Sequence, residues 1–279
     1  MQKNIKILTV LTLFTILLLS LSGMLGGVIG NVVYLLSFAL PLCIGFEVSR
    51  RDKEEREKEK GACEPSDRLF SLPKKALLVI PVSIFPTVFT VFLISFVSTL
   101  IANALEVNVP PNPKGDMWQL LLTHALAPAI LEEAVFRYLP LRLIAPYSKR
   151  ATIIVSTVFF GFCHMSLFQI PYALWAGFIF IVLDLLLESV WPSVILHLLN
   201  NAASILFMTF TDDLFVIIFW LAISMLAVAS FAVLAFFAKR FARELRGILK
   251  SDIKASFPYS FLAVPVVSLV NAFITLFLE

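Results

Sequence analysis

The stretch MWQLLLTHALAPAILEEAVFRYL, residues 117–139, is an apolar run that carries two adjacent carboxylates and a guanidinium near its end. A charge at the centre of a bilayer costs roughly 2.5–3.5 kcal/mol on insertion scales. Three such charges, Glu132, Glu133 and Arg137, therefore indicate a functional site. Glu133 and Arg137 are four residues apart with the acid first, which is the favoured order for a helical ion pair. Glu132 points about 100° away from Glu133, so it is free to face another group.

The whole chain has the composition of a membrane protein. Of its 279 residues, 59% are hydrophobic and 15% are charged, and the mean hydropathy is +0.94. Soluble domains are about half apolar and about a quarter charged. A spanning helix needs about 20 apolar residues, and the chain has room for eight or nine such segments. We therefore expect an all-α, polytopic transmembrane bundle of eight or nine helices.

The predicted segments fall into three parts of the chain. Residues 1–116 contain N-terminal transmembrane helices and a polar loop at 47–75. Residues 117–211 contain the polar intramembrane side chains and are the expected catalytic core, and residues 212–279 contain C-terminal transmembrane helices. The nine segments are 5–21, 28–46, 76–105, 117–139, 151–165, 167–187, 191–211, 214–237 and 261–278.

The basic residues predict the orientation of the chain. Of the 22 Lys and Arg residues, 21 lie in alternate connections, beginning with the N-terminus, and only Lys114 falls outside them. Because cytoplasmic loops carry an excess of Lys and Arg, we expect the N-terminus and the main basic loops in the cytoplasm. These loops lack the interleaved basic and aromatic surface of a nucleic-acid-binding protein, so no nucleic-acid partner is expected.

Three histidines are present, and all lie in apolar segments: His124, His164 and His197. His197 and Asn201 are four residues apart and share a helix face. His124 lies two turns before Glu132 and about 80° around the helix, so we expect it to be peripheral. Intramembrane His, Glu and Asn side chains normally face the interior of a bundle, which makes the others candidates for one shared site.

Three short motifs occur in a fixed order on successive segments. EEAVFR (132–137) fits EExxxR, Phe160 to His164 fits FxxxH, and His197 to Asn201 fits HxxxN. Together they resemble the family of CAAX prenyl proteases and bacteriocin-processing or immunity enzymes, and most of all the type II CAAX (Ras-converting) endopeptidases. The resemblance implies an intramembrane endopeptidase with a conical catalytic cavity. Its substrate would be a prenylated CAAX protein or peptide held in membrane lipid, cleaved after the prenylated cysteine to release a tripeptide.

The resemblance also implies roles for individual residues. Glu132 and His164 would activate a water, and His197 and Asn201 would donate hydrogen bonds to the developing oxyanion. Glu133 and Arg137 would support the site. No cofactor is favoured. Two His and one Glu can hold a catalytic zinc, so Glu132, His164 and His197 form the zinc alternative, although the sequence lacks HExxH.

Other functions remain open at this point. A related bacteriocin-processing or self-immunity peptidase would carry the same motifs. A proton-coupled transporter would also place Glu and His in the membrane, but would tend to show inverted repeats, and neither EExxxR nor HxxxN recurs. The predicted positions of Glu132 and His164 conflict. Glu132 lies near the cytoplasmic end of its segment, whereas His164 lies at the far end of the next segment. The two can meet only if the helix that carries His164 is short or starts deep in the membrane.

Overall fold

The computed structural model describes residues 1–60, 68–105, 115–210, 212–250 and 257–278. In these ranges the chain is helical apart from short turns, and it contains no strand. Each of the nine predicted segments forms a helix. They are α1 Gln2–Leu25, α2 Gly27–Lys60, α3 Ala76–Ala104, α4 Met117–Leu143, α5 Lys149–Cys163, α6 Ile170–Leu187, α7 Trp191–Thr209, α8 Asp213–Lys250 and α9 Ala263–Leu278.

Seven of these helices are long and apolar enough to cross a membrane. The two others, α5 with 15 residues and α9 with 16, are shorter. The prediction of an all-α, multi-pass membrane protein is confirmed. The polar loop predicted at 47–75 begins as a helical continuation of α2 to Lys60, and residues 61–67 of it lie outside the described ranges.

The helix α4, which carries EExxxR, is not a regular α-helix. It widens into π-helical turns at Leu121–Leu126 and again at Ala134–Tyr138. A proline follows each widened stretch, at Pro128 and Pro140, and a proline removes an i to i−4 hydrogen bond. Short π-helical turns are frequent at functional sites, and here the second begins directly after Glu133.

Two apolar cores hold the bundle around α6. The first joins α1, α2, α4, α5 and α6 with parts of α8 and α9, and includes Phe38, Phe136, Phe159 and Ile181. The second packs α3 against α6 and α7, through side chains such as Val88, Phe180 and Leu196. The EExxxR, FxxxH and HxxxN helices thus meet in the middle of the bundle.

Hydrogen bonds join helix ends on two opposite sides of the bundle. On one side Asn4 Nδ2 donates to Asp52 Oδ1 (3.0 Å) and to the Leu143 carbonyl (2.8 Å), and Tyr147 donates to Asp52 (2.9 Å). On the other side Ser20 Oγ contacts Met165 Sδ at 3.5 Å. Helix α5 therefore runs from the end of α4 to the far end of α1 in about 22 Å. The prediction of orientation assumes that alternate connections lie on the same side of the membrane, and these contacts agree with that assumption. Which side faces the cytoplasm stays a prediction.

Candidate active site

Glu133 is the buried hub of the site, with a side chain only 1% exposed. Its Oε2 lies 3.1 Å from Arg137 Nε, so the predicted ion pair is present. Its Oε1 lies 2.7 Å from His197 Nδ1, a contact that the sequence does not predict. Because an ionised carboxylate can only accept hydrogen bonds, this contact places a proton on His197 Nδ1. One carboxylate therefore ties the EExxxR helix to the HxxxN helix.

Arg137 is fully buried and lies against aromatic rings. Its guanidinium carbon is 4.1 Å from the centre of the Phe160 ring and 5.6 Å from that of Phe180. A guanidinium over an aromatic face is attracted by the ring quadrupole. Arg137 is one of the 21 Lys and Arg residues assigned above to the cytoplasmic connections, and that assignment is wrong for this residue, because it lies in the interior of the site.

Glu132 has different surroundings from its neighbour. It is half-buried, and in the described part of the chain it makes no hydrogen bond or ion pair. Its charge interacts with His164 and with two phenols, Tyr34 of α2 and Tyr172 of α6. The adjacent carboxylates thus differ as the helical geometry predicts, one held in ion pairs and the other unpaired, with its charge acting on His164.

His164 follows the last residue of α5 and is fixed by its own helix. Its Nδ1 lies 2.9 Å from the Phe160 carbonyl, which can only accept, so Nδ1 donates and Nε2 is left as an acceptor. The ring also meets the Tyr172 ring edge-on, with centres 6.3 Å apart.

A hydrogen bond sets the level of His164 relative to Glu132. Ser156 Oγ of α5 donates to the Phe136 carbonyl of α4 at 2.5 Å, and the two helices are antiparallel. Glu132 lies one turn before Phe136, and Phe160 lies one turn after Ser156, so both lie at about the same level. Because His164 bonds back to Phe160, its ring stays near that level. The short length of α5 thus removes the conflict noted for His164.

His197 and Asn201 share a face of α7 but have different partners. Asn201 Nδ2 donates to the His124 carbonyl at 3.2 Å. Pro128, four residues after His124, has no N–H to offer that carbonyl. Asn201 therefore ties α7 to the first widened turn of α4, and within the described residues it makes no hydrogen bond to Glu132 or His164. The His124 side chain is exposed and contacts Thr123, in agreement with a peripheral position.

Three residues at the site were not predicted from the sequence as site residues: Asp184, Tyr34 and Tyr172. Asp184 of α6 is fully buried, and its Oδ1 accepts the Ser193 N–H at 3.0 Å, one turn before His197. A lone carboxylate in an apolar segment is the signal that could have identified Asp184. No sequence pattern distinguishes Tyr34 and Tyr172, which reach the site only through the packing of their helices.

The zinc alternative depends on whether three ligands converge. In the ranges that the structure describes, no group of three His, Cys, Asp or Glu side chains is arranged to hold a metal ion. His197 Nδ1 is bonded to Glu133, and His164 Nδ1 to a backbone carbonyl. Each histidine therefore retains only Nε2 for a further partner.

The fold and the site define an integral, multi-pass helical membrane protein whose central helices bury a cluster of carboxylate and histidine side chains. Residues 114–203 match the family model described as type II CAAX prenyl endopeptidase, Rce1-like. The match spans α4 to the middle of α7 and contains all three motifs, so the resemblance drawn from the motifs is confirmed. No curated protein and no solved structure matches the chain.

Proposed function

We propose that this chain is an intramembrane endopeptidase that hydrolyses the peptide bond after a prenylated cysteine in a C-terminal CAAX tail and releases the tripeptide. The family match over residues 114–203 supports the activity. One observation supports the mechanism above all others. Glu133 is engaged by Arg137 and His197, whereas its neighbour Glu132 is unpaired and lies close enough to His164 for its charge to act on that ring.

Glu132 and His164 are the groups we assign to the attacking water. The water donates one hydrogen to the Glu132 carboxylate and the other to His164 Nε2, which is the acceptor left when Nδ1 donates to Phe160. Its oxygen lone pair is then free to attack the carbonyl carbon as Glu132 takes a proton. When the C–N bond breaks, Glu132 returns that proton to the leaving amine. Positioned acid–base groups of this kind contribute about 10²- to 10⁴-fold to a rate.

We assign the developing oxyanion to His197 and Asn201. When His197 carries both ring protons, its Nε2 donates while Glu133 compensates the charge of the ring through Nδ1. The Asn201 amide has two N–H donors, and the His124 carbonyl accepts only one of them. An oxyanion donor contributes about 10²- to 10³-fold to kcat. Arg137 compensates the Glu133 charge, so that this carboxylate stays ionised and holds the ring in place.

The location of the site suits a lipid-modified substrate. Glu132 lies about 22 Å from the start of α4 and about 16 Å from Leu143 at its other end, which is the end predicted to face the cytoplasm. A prenylated tail arrives from the cytoplasm with its lipid in the bilayer. A conical cavity open to both would admit the peptide and the prenyl chain together.

The direct test is to incubate the purified protein with farnesylated and unprenylated CAAX peptides and to identify the products by mass. We expect a released tripeptide and a shortened farnesyl-cysteine product from the first peptide, and little product from the second. Equal cleavage of both would favour a bacteriocin-processing or self-immunity peptidase. Absence of cleavage, with the fold verified by circular dichroism, would contradict the proposed function.

Metal dependence is a separate prediction. We expect cleavage to continue in the presence of a strong chelator, because the water is activated by Glu132 and His164. The measurement is the rate of tripeptide release before and after prolonged chelation, followed by dialysis. Loss of activity that added zinc restores would replace this mechanism with the zinc alternative at Glu132, His164 and His197.

A further inference from the structure

A stripe of basic side chains follows the last membrane-spanning part of α8. The apolar span ends at Phe237, and the helix continues to Lys250. The basic stripe consists of Lys239, Arg243, Arg246 and Lys250, which are exposed and line one groove together with Gly247. Their spacing of four, three and four residues places all of them within about 60° of one helix face.

The opposite face of this extension is attached to the protein. Ile248 is 8% exposed and belongs to the first apolar core, and Leu245 packs against the same core. Ile248 lies about 180° around the helix from Lys239. The extension is therefore docked on its apolar side, and this docking fixes the basic stripe on the outer side.

The stripe is not neutralised by acidic side chains of the described structure. Glu244 is the single acidic residue between Lys239 and Lys250, and it pairs with Arg240 at 3.3 Å, outside the stripe. Arg246 bonds to the Ala242 carbonyl, which is neutral. The basic residues of α2 differ, because Arg50 and Arg51 each pair with Glu47.

We propose that the basic stripe binds the phosphate headgroups of anionic phospholipids in the leaflet where α8 ends. Lys239 comes two residues after the span, so the stripe begins in the headgroup region, and it continues for about 16 Å along the helix. Phe236 and Phe237, 84% and 42% exposed, mark the adjoining acyl region. Each basic residue near such a surface raises affinity for anionic lipid about fivefold. This proposal does not rest on the proposed peptidase activity.

The test is native mass spectrometry of the purified protein in detergent, titrated with phosphatidylglycerol or with phosphatidylcholine. We expect the native chain to retain phosphatidylglycerol preferentially. The variant Lys239→Gln/Arg243→Gln/Arg246→Gln/Lys250→Gln should lose most of this preference, with affinity reduced at least about tenfold, a conservative bound on the loss of four such contacts.

The matched control removes four basic residues elsewhere, as Lys3→Gln/Lys6→Gln/Arg50→Gln/Arg51→Gln, and should keep the preference. If the stripe variant does not fold, the double variant Arg243→Gln/Arg246→Gln replaces it, and Arg243→Lys/Arg246→Lys should bind like the native chain. Equal loss in the control, no loss in the folded stripe variant, or no preference in the native chain would overturn the proposal. Displacement of the lipid by millimolar inorganic phosphate would assign the stripe to free phosphate instead.

Discussion

Adjacent glutamates in this site have opposite surroundings, and substitution should separate their roles. Glu132→Gln removes the proposed base but no hydrogen bond of the described structure, so we expect cleavage to fall by about 10²-fold or more with little change in thermal unfolding. Glu133→Gln leaves Arg137 buried without its counter-charge, which costs about 3–5 kcal/mol. That variant should therefore lose stability as well as activity. Farnesyl-peptide cleavage and thermal unfolding in the same detergent measure both effects.

His164→Ala serves as the companion substitution for Glu132. It removes the second acceptor for the water, and the Phe160 carbonyl loses only a side-chain partner. We expect a folded protein without measurable cleavage. Retained cleavage in both Glu132→Gln and His164→Ala would refute the assignment of the water to these residues, and unchanged stability of Glu133→Gln would show that the buried ion pair is not needed for the fold.

At the level of single residues, the sequence predicts identities better than partners. The i,i+4 spacing of Glu133 and Arg137 is a local relation, and the structure contains the predicted pair. The contact between Glu133 and His197 joins residues 64 positions apart. It depends on how α4 and α7 pack, and no local spacing encodes that. The same holds for Asp184 beside Ser193, whose contact crosses the turn between α6 and α7.

At the level of helices, α4 and α7 are joined through the His124 carbonyl. In a regular helix the N–H of residue 128 would donate to this carbonyl, but residue 128 is a proline. Asn201 donates to the His124 carbonyl, and Pro128 cannot. We expect Asn201→Ala to destabilise the protein by about 0.6 kcal/mol, the average for a hydrogen bond between membrane helices. In a Pro128→Ala background a backbone N–H becomes available at position 128, so the same substitution should cost less. The coupling between positions 128 and 201 is obtained from the unfolding free energies, in mixed micelles, of the native chain, the two single variants and the double variant.

A coupling of about 0.5 kcal/mol between the two positions is the expected result, because residues that share a hydrogen-bond partner couple by about that much or more. Strictly additive effects would mean that Asn201 and residue 128 do not share the carbonyl. The comparison also bears on the proposed oxyanion role, because Asn201→Ala should then lower kcat in both backgrounds, whatever its effect on stability.

The positions of the helices follow from apolar length, whereas their internal irregularities do not. The apolar runs predict eight or nine spanning helices, and each of the nine ranges is a helix, because runs of this length leave the backbone no other way to satisfy its polar groups in lipid. The widened turns at Leu121–Leu126 and Ala134–Tyr138 were not expected. Pro128 and Pro140 signal a break in the hydrogen bonding, but they do not specify a π-helical turn in place of a kink.

At the level of the whole molecule, the contacts at the helix ends constrain the topology. The bonds that join Asn4, Asp52 and Leu143 bring three connections to one side of the bundle, and Met165 lies with Ser20 on the other. These contacts hold in either orientation. The distribution of Lys and Arg predicts which side of the bundle faces the cytoplasm. Moving Arg137 from the connections to the interior removes only one of the 21 basic residues on the predicted cytoplasmic side.

Site-directed labelling tests both the direction and the number of crossings. In a chain whose three cysteines, Cys43, Cys63 and Cys163, are replaced, we expect an impermeant maleimide to label Lys6→Cys and Arg51→Cys only in inside-out vesicles. Gly115→Cys should be labelled only in intact cells, because positive loops remain in the cytoplasm. Ser166→Cys should behave like Gly115→Cys if α5 crosses the membrane with its 15 residues. Labelling of Ser166→Cys from the same side as Lys6→Cys would instead make α5 and α6 a re-entrant pair, and labelling of Lys6→Cys in intact cells would reverse the predicted orientation.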